Sequence, residues 1–204
     1  MPSSANLARL LEKRRRNVWN EFLATLPEIG PEGSAARRRT NLAFNCDALD
    51  VLRGLKRRSV QPAIIYADPP YSLAQYSRYY HVLDTLLAYS YPRVTGAGRY
   101  PEQRYHTPFS HASGVEAAMA SLVASASALN AILILSYPDN GLYCQRGKSV
   151  SALLSKYYDS VTLRVSTPHD HSTFGGPTAT TTVPVRERVY VARHSKGERS
   201  PQAA

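Results

Sequence analysis

The sequence predicts an α/β domain built on a parallel sheet. Three observations carry this. From residue 41 onward, short apolar stretches alternate with helical patterns. Pro62–Tyr66 (PAIIY) is apolar on both faces, as strands buried in parallel sheets are. An Ala-rich helical stretch, Glu116–Asn130, runs straight into Ala131–Tyr137 (AILILSY), the strongest strand pattern in the chain.

The elements follow in order. Leu7, Leu11, Val18, Phe22 and Leu26 recur at spacings of four or seven, predicting one helix over residues 5–26 with these side chains on one face. Pro27, Gly30, Pro31 and Gly33 end it. A polar connector closes with Arg37, Arg38 and Arg39. Asn41–Cys46 is a short strand candidate. Asp47 is placed to cap a helix running to about Leu55, with Leu49, Leu52 and Leu55 inward. Tyr76–Tyr89 reads as a helix, 90–112 as a long loop punctuated by Pro92, Pro101 and Pro108, and Lys148–Tyr158 as a further helix. Ser160–Ser166 alternates like a strand. A Gly/Thr-rich turn region leads to the last strand, Glu187–Arg193. The expected organisation is an N-terminal helix with a basic connector (1–40), a catalytic domain (41–194) and a disordered tail (195–204).

Composition narrows the class. The chain has 204 residues, 43% apolar and 20% charged, enough for one globular core. No apolar run approaches the ~20 residues that cross a bilayer. MPSSANLARLLEKRRRNVW lacks the apolar stretch and cleavage site of a secretory signal. Cys46 and Cys144 form no CxxC pair, so a reducing cytoplasm is expected. His106, His111, His169 and His171 have no zinc-ligand spacing, and no metal is expected. The net charge of +10 favours a polyanionic partner. Fourteen tyrosines against four phenylalanines add rings on which unpaired bases can stack.

Ligands of α/β sheets lie beyond the carboxyl ends of strands. That position, just after Ile64-Ile65-Tyr66-Ala67, holds Asp68-Pro69-Pro70-Tyr71. The prolines turn the chain rigidly out of the strand. Asp68 is left at the strand mouth as an acceptor. Pro69 adds a carbonyl, and Tyr71 a flat ring. Two acceptors beside a stacking face suit a planar amino group. Out of context the string is also a proline turn with a capping aspartate; the apolar strand before it favours the chemical reading.

This motif resembles that of S-adenosylmethionine-dependent amino-group methyltransferases, and the run Asp68–Leu86 (DPPYSLAQYSRYYHVLDTL) looks like bacterial adenine-specific DNA methylases of the D12 type. Asn45–Leu49 resembles their cofactor-adenine segment, Leu135–Pro138 their next strand, and His171–Arg193 their terminal hairpin. The resemblance covers roughly residues 41–193. It implies a Rossmann-like class I methyltransferase fold, with a parallel sheet and terminal β-hairpin. It also implies transfer of a methyl group from S-adenosylmethionine to N6 of an adenine flipped out of double-stranded DNA. Asp68, Pro69, Pro70 and Tyr71 would be catalytic, and Asp47, Ala48 and Asp68 would meet the cofactor. A bacterial cytoplasmic enzyme of the restriction–modification kind, bound at the nucleoid, is implied as well.

The family's Phe-x-Gly-x-Gly turn has no counterpart here. Gly30 and Gly33 follow a helix, and Glu32 between them would repel a carboxylate. The first two strands of the usual sheet are also missing from the pattern. Three readings follow: a truncated frame, which is favoured, a half enzyme completed by a second chain, or a divergent enzyme. Nucleic-acid contacts are expected from Arg37, Arg38, Arg39, Tyr76, Arg78, Tyr79 and Arg104, which mix positive charge with aromatic rings. Two other functions stay open. One is an RNA amino-group methyltransferase of the rRNA guanine-N2 type. The other is a DNA-binding remnant with no cofactor.

Overall fold

The computed structural model describes residues 7–8, 11–12, 15, 17–29, 33–165, 169–171 and 183–195. The chain divides into two units, Met1–Asn45 and Cys46–Ala204.

In the first unit, helix α1 (Val18–Thr25) is capped by Asn17, whose side chain accepts from the N–H groups of Trp19 at 3.0 Å and Asn20 at 3.2 Å. The uninterrupted helix expected over 5–26 is thus broken. Asn17 is extended, and its amide offers the backbone partners that start a new helix. A 3-10 turn (Leu26–Ile29) and the short helix α2 (Ala35–Arg38), capped by Ser34, follow. Leu7, Leu11, Phe22 and Leu26, expected on one helix face, are all exposed. Residues 41–46 form no strand. Alternation alone does not make one; a sheet edge must supply hydrogen bonds, and Leu42 and Phe44 remain exposed.

The second unit is mixed α/β. Helix α3 (Ala48–Arg57) begins where Asp47 Oδ1 accepts from the Leu49 N–H at 2.8 Å, and it buries Leu49 and Leu52. Strand β1 (Ile64–Ala67) leads to helix α4 (Ser77–Ala88). The expected loop over 90–112 contains a hairpin of β2 (Val94–Thr95) and β3 (Tyr100–Pro101), then a 3-10 turn at Pro108–Ser110. Helix α5 (Val115–Ser127) is alanine-rich, which suits a helix interior. The chain then leaves the helical path at Asn130, which takes the left-handed conformation (φ 53°) that asparagine tolerates.

Strand β4 (Ile132–Pro138) follows, then helices α6 (Leu142–Gln145) and α7 (Val150–Leu154) and strand β5 (Ser160–Val165). Helix α7 is shorter than the expected Lys148–Tyr158, because Ser149 caps it and Ser155 closes it. A small ladder pairs β6 (His169–His171) with β7 (Val183–Val185), and β8 (Glu187–Arg193) ends the sheet. The Gly/Thr-rich turn lies outside the described residues, as does the expected tail beyond Ser195.

The main sheet has the order β1-β4-β8-β5. β1 and β4 are parallel, while β8 is antiparallel to both β4 and β5. Three strands therefore share a direction and one opposes them. The terminal hairpin expected over His171–Arg193 includes the β6–β7 ladder, with His171 opposite Val183, and extends further back, because β8 pairs with β5 from Ser160.

The core lies around β4. Leu133, Leu135 and Tyr137 are buried with Val115, Met119 and Val123 of α5, Leu154 of α7, and Ala192 of β8. Each large side chain so buried contributes about 1.5–3 kcal/mol. β1 departs from the buried strand read from PAIIY. It is the last strand of its sheet, and Ile64 is 56% and Tyr66 64% exposed. No residue of α4 is buried.

Candidate active site

The turn after β1 is held from below and from both sides. Pro69 is buried, while Pro70 and Tyr71 are half-buried. The Leu142 N–H, at the start of α6, donates to the Tyr71 carbonyl at 2.6 Å. That helix start is itself set by packing. Gly141 lies against the Tyr137 ring so closely that a Cβ would collide with it, and the Tyr143 N–H donates to the Tyr137 hydroxyl at 3.0 Å. The end of β4 therefore anchors the end of β1.

Downstream, Gln75 is buried and its amide takes both backbone groups of Thr107. Nε2 donates to the Thr107 carbonyl at 3.2 Å, and the Thr107 N–H donates to Oε1 at 2.8 Å. The Ser77 hydroxyl donates to the Tyr105 carbonyl at 2.7 Å. These bonds bring the loop after β3 back beside the turn.

Asp68 is exposed at the strand mouth. Among the described residues, no donor reaches its carboxylate or the Pro69 carbonyl. Its pKa is raised from 3.8, first by partial desolvation of the carboxyl, although much of the residue stays open to water, and then by the negative charge of Glu187. Glu187 opens β8 opposite Pro138 and accepts a hydrogen bond from the Ser136 hydroxyl. The Tyr71 phenol is pushed up by burial, then by Glu187 and Asp68. Tyr76 is pushed up to about 12, by burial first and then by Tyr71 and Asp68. Asp68, Tyr71, Tyr76 and Glu187 thus share one electrostatic neighbourhood, in which both phenols stay protonated at neutral pH.

Asp47 is differently placed. Its Oδ2 accepts from the Tyr105 hydroxyl at 2.8 Å while Oδ1 caps α3, and Ala48 is exposed at the first helical position. Each carboxylate oxygen keeps one further lone pair for a ligand. Asp47 and Asp68, expected at the two ends of S-adenosylmethionine, both keep acceptor capacity. Among the described residues no glycine turn follows a strand mouth with open space, since the place of a Cβ at Gly141 is filled by the Tyr137 ring.

Arg78 and Tyr79 sit on the first turn of α4, with Tyr76 just before it and Arg104 in the loop that Gln75 and Ser77 hold. Arg37, Arg38 and Arg39 belong to the first unit, where Arg37 and Arg39 are exposed. Two residues of the site went unread in the sequence. Glu187 was visible only as the start of a strand, although a carboxylate opening an apolar strand at a sheet's carboxyl-end rim is a signal. Gln75 carried no signal beyond its position after the motif.

Comparison with known proteins finds no match to this chain among protein families, curated proteins or solved structures.

Proposed function

We propose that this chain forms the target-base half of an S-adenosylmethionine-dependent DNA adenine-N6 methyltransferase. The observation that carries the reading is the pair of acceptors at the end of β1: the Asp68 carboxylate and the Pro69 carbonyl, unclaimed by any donor among the described residues, beside the Tyr71 ring. The Rossmann-like class I fold is part of the proposal. It is supported by three strands sharing a direction and by the antiparallel pair of β5 and β8 closing the sheet.

The chemistry follows from the amine. The lone pair of an adenine N6 is delocalised into the ring and is a poor nucleophile. Asp68 and the Pro69 carbonyl accept its two N–H bonds, which favours a more pyramidal nitrogen with its lone pair directed outward. Tyr71 stacks on the extruded base and offsets part of the few kcal/mol that flipping costs. When bound, S-adenosylmethionine supplies the electrophilic methyl group. The chain's own residues fix the amine's position and polarise it.

A further segment, in the same polypeptide or in a second chain, brings the glycine turn for the middle of the cofactor. The free edge of β1, with Ile64 and Tyr66 exposed, supports this. A parallel strand added there would end beside Asp68, at the kind of position where such sheets bind ligands. Labelled methyl transfer to duplex DNA, with ribosomal RNA in parallel, tests the reading. Transfer to DNA adenine that Asp68→Ala abolishes supports it. Transfer to RNA guanine would favour the rRNA-type enzyme, and DNA binding with no cofactor binding a non-catalytic remnant.

A further inference from the structure

Two arginines converge on one tyrosine in the second unit. The Arg78 Nε–H donates to the Tyr100 hydroxyl at 2.8 Å, and the Arg78 guanidinium carbon lies 5.1 Å from the ring centroid. The Arg104 guanidinium carbon lies 5.3 Å from the same centroid. His81 meets that ring edge-on, with centroids 5.0 Å apart. The hairpin of β2 and β3 is shaped to put Tyr100 there. Gly96 and Arg99 take positive φ, and a Cβ on Gly98 would collide with the Tyr100 ring.

The cluster has an unbalanced charge. Among the described residues neither Arg78 nor Arg104 forms an ion pair, and Glu102, the acid nearest Arg104 in sequence, pairs with neither. Arg104 spends none of its donors on a described protein acceptor, and its Nε is buried without a partner. Two like charges held over one ring repel each other, and a buried donor without an acceptor is costly. An anion with several acceptor oxygens removes both penalties. Contact with the ring holds both guanidinium groups in place, and a guanidinium's fork of donors matches a phosphate oxygen pair. The cluster is tied to the Asp68 turn, because Ser77 holds the Tyr105 carbonyl and Gln75 holds Thr107.

We infer that Arg78 and Arg104, held by Tyr100, form a clamp for one backbone phosphate of DNA next to the extruded base. This rests on the proposed DNA substrate for its choice of polyanion. It does not depend on methyl transfer.

The test is anisotropy of a labelled DNA duplex over a salt series, without cofactor. Arg78→Ala and Arg104→Ala should each weaken binding about three- to tenfold and lower the log–log salt slope by about one phosphate contact. The double variant should lower the slope no further, because both residues grip one phosphate. Tyr100→Phe keeps the ring and should lose less than Tyr100→Ala. Gly98→Ala, which displaces the ring, should resemble Tyr100→Ala. Arg104→Lys keeps the charge and the solubility but loses the guanidinium's fork of donors, and should still weaken binding. Circular dichroism of each variant checks folding. Slopes unchanged in both arginine variants, or changed no more than in the control Arg57→Ala, would overturn the clamp. Binding to structured RNA with these effects and none to duplex DNA would overturn the assignment to DNA. A clamp that survives alongside absent methyl transfer would sink only the enzymatic reading.

Discussion

The side-chain amide of Gln75 is hydrogen-bonded to both the carbonyl and the N–H of Thr107, at 3.2 and 2.8 Å. A glutamine seven residues past Asp68 therefore acts as a surrogate strand partner for a loop thirty-two positions away. It sets where Tyr105 and Arg104 stand relative to the turn.

Gln75→Ala strands both backbone groups of Thr107 in a partly buried place. The expected cost is about 2 kcal/mol, or a fall of roughly 4–8 °C in melting temperature. Hydrogen exchange should show the 102–110 loop opening before the sheet does. A variant as stable and as protected as the parent would mean the amide is dispensable.

The pKa of Asp68 gives a pH prediction. Its folded value is raised from 3.8 by burial and then by Glu187. The protonated form is the favoured one in the fold. The associated stability is present below the unfolded value and is lost as pH rises through the folded one. Asp68→Asn should therefore gain stability over the parent across that window, in urea titrations at stepped pH. The ionised carboxylate of Asp68 is the stronger acceptor of N–H bonds, so the acid limb of methyl transfer should lie above the ordinary value of 3.8. Glu187→Gln should move the limb down only in part, because burial, the larger cause, remains. An unmoved limb would remove Glu187 from the electrostatics of the site.

Tyr71 separates stacking from hydroxyl chemistry. Tyr71→Ala should weaken the hold on an extrahelical base by about 1–3 kcal/mol, measured with an abasic-flanked fluorescent base analogue. Tyr71→Phe should be mild. Equal damage from the two would assign the hydroxyl a role that stacking does not require.

The incomplete cradle predicts weak cofactor binding. Calorimetry on residues 1–204 should give a dissociation constant on the order of millimolar rather than micromolar, a difference of about 4 kcal/mol. A strand–glycine-turn segment supplied in cis or in trans should restore affinity, and charged residues placed at Ile64 and Tyr66 should block that rescue. Micromolar binding by the chain alone would show that its own residues complete the site.

The parts of the fold that rest on local rules were legible in the sequence. Asp47 caps α3 as its side-chain chemistry requires, Glu187–Arg193 is a strand from end to end, and the apolar run AILILSY places β4 within one residue. What was not legible depends on neighbours. PAIIY reads as buried, but burial comes from adjacent strands, and β1 has one on a single side. NLAFNC alternates, yet no described strand pairs with it. The hairpin that presents Tyr100 hides in a proline-punctuated loop, where its signal is Gly96, Gly98 and a left-handed Arg99 rather than periodicity. In the proposed site, Asp68 and Tyr71 are put forward from local chemistry, the turn that ends β1. Gln75 and Glu187 could not be read that way, because their roles exist only through Thr107 and Ser136.

The most direct test of the central claim is N6-methyladenine itself. The protein, with its native flanking sequence, is expressed in a host lacking adenine methylation, and genomic DNA is digested and analysed by mass spectrometry. The account predicts N6-methyladenine at a defined sequence in the parent and none with Asp68→Ala at equal protein level. An equal signal from both, or none from a folded, cofactor-binding parent, would contradict it.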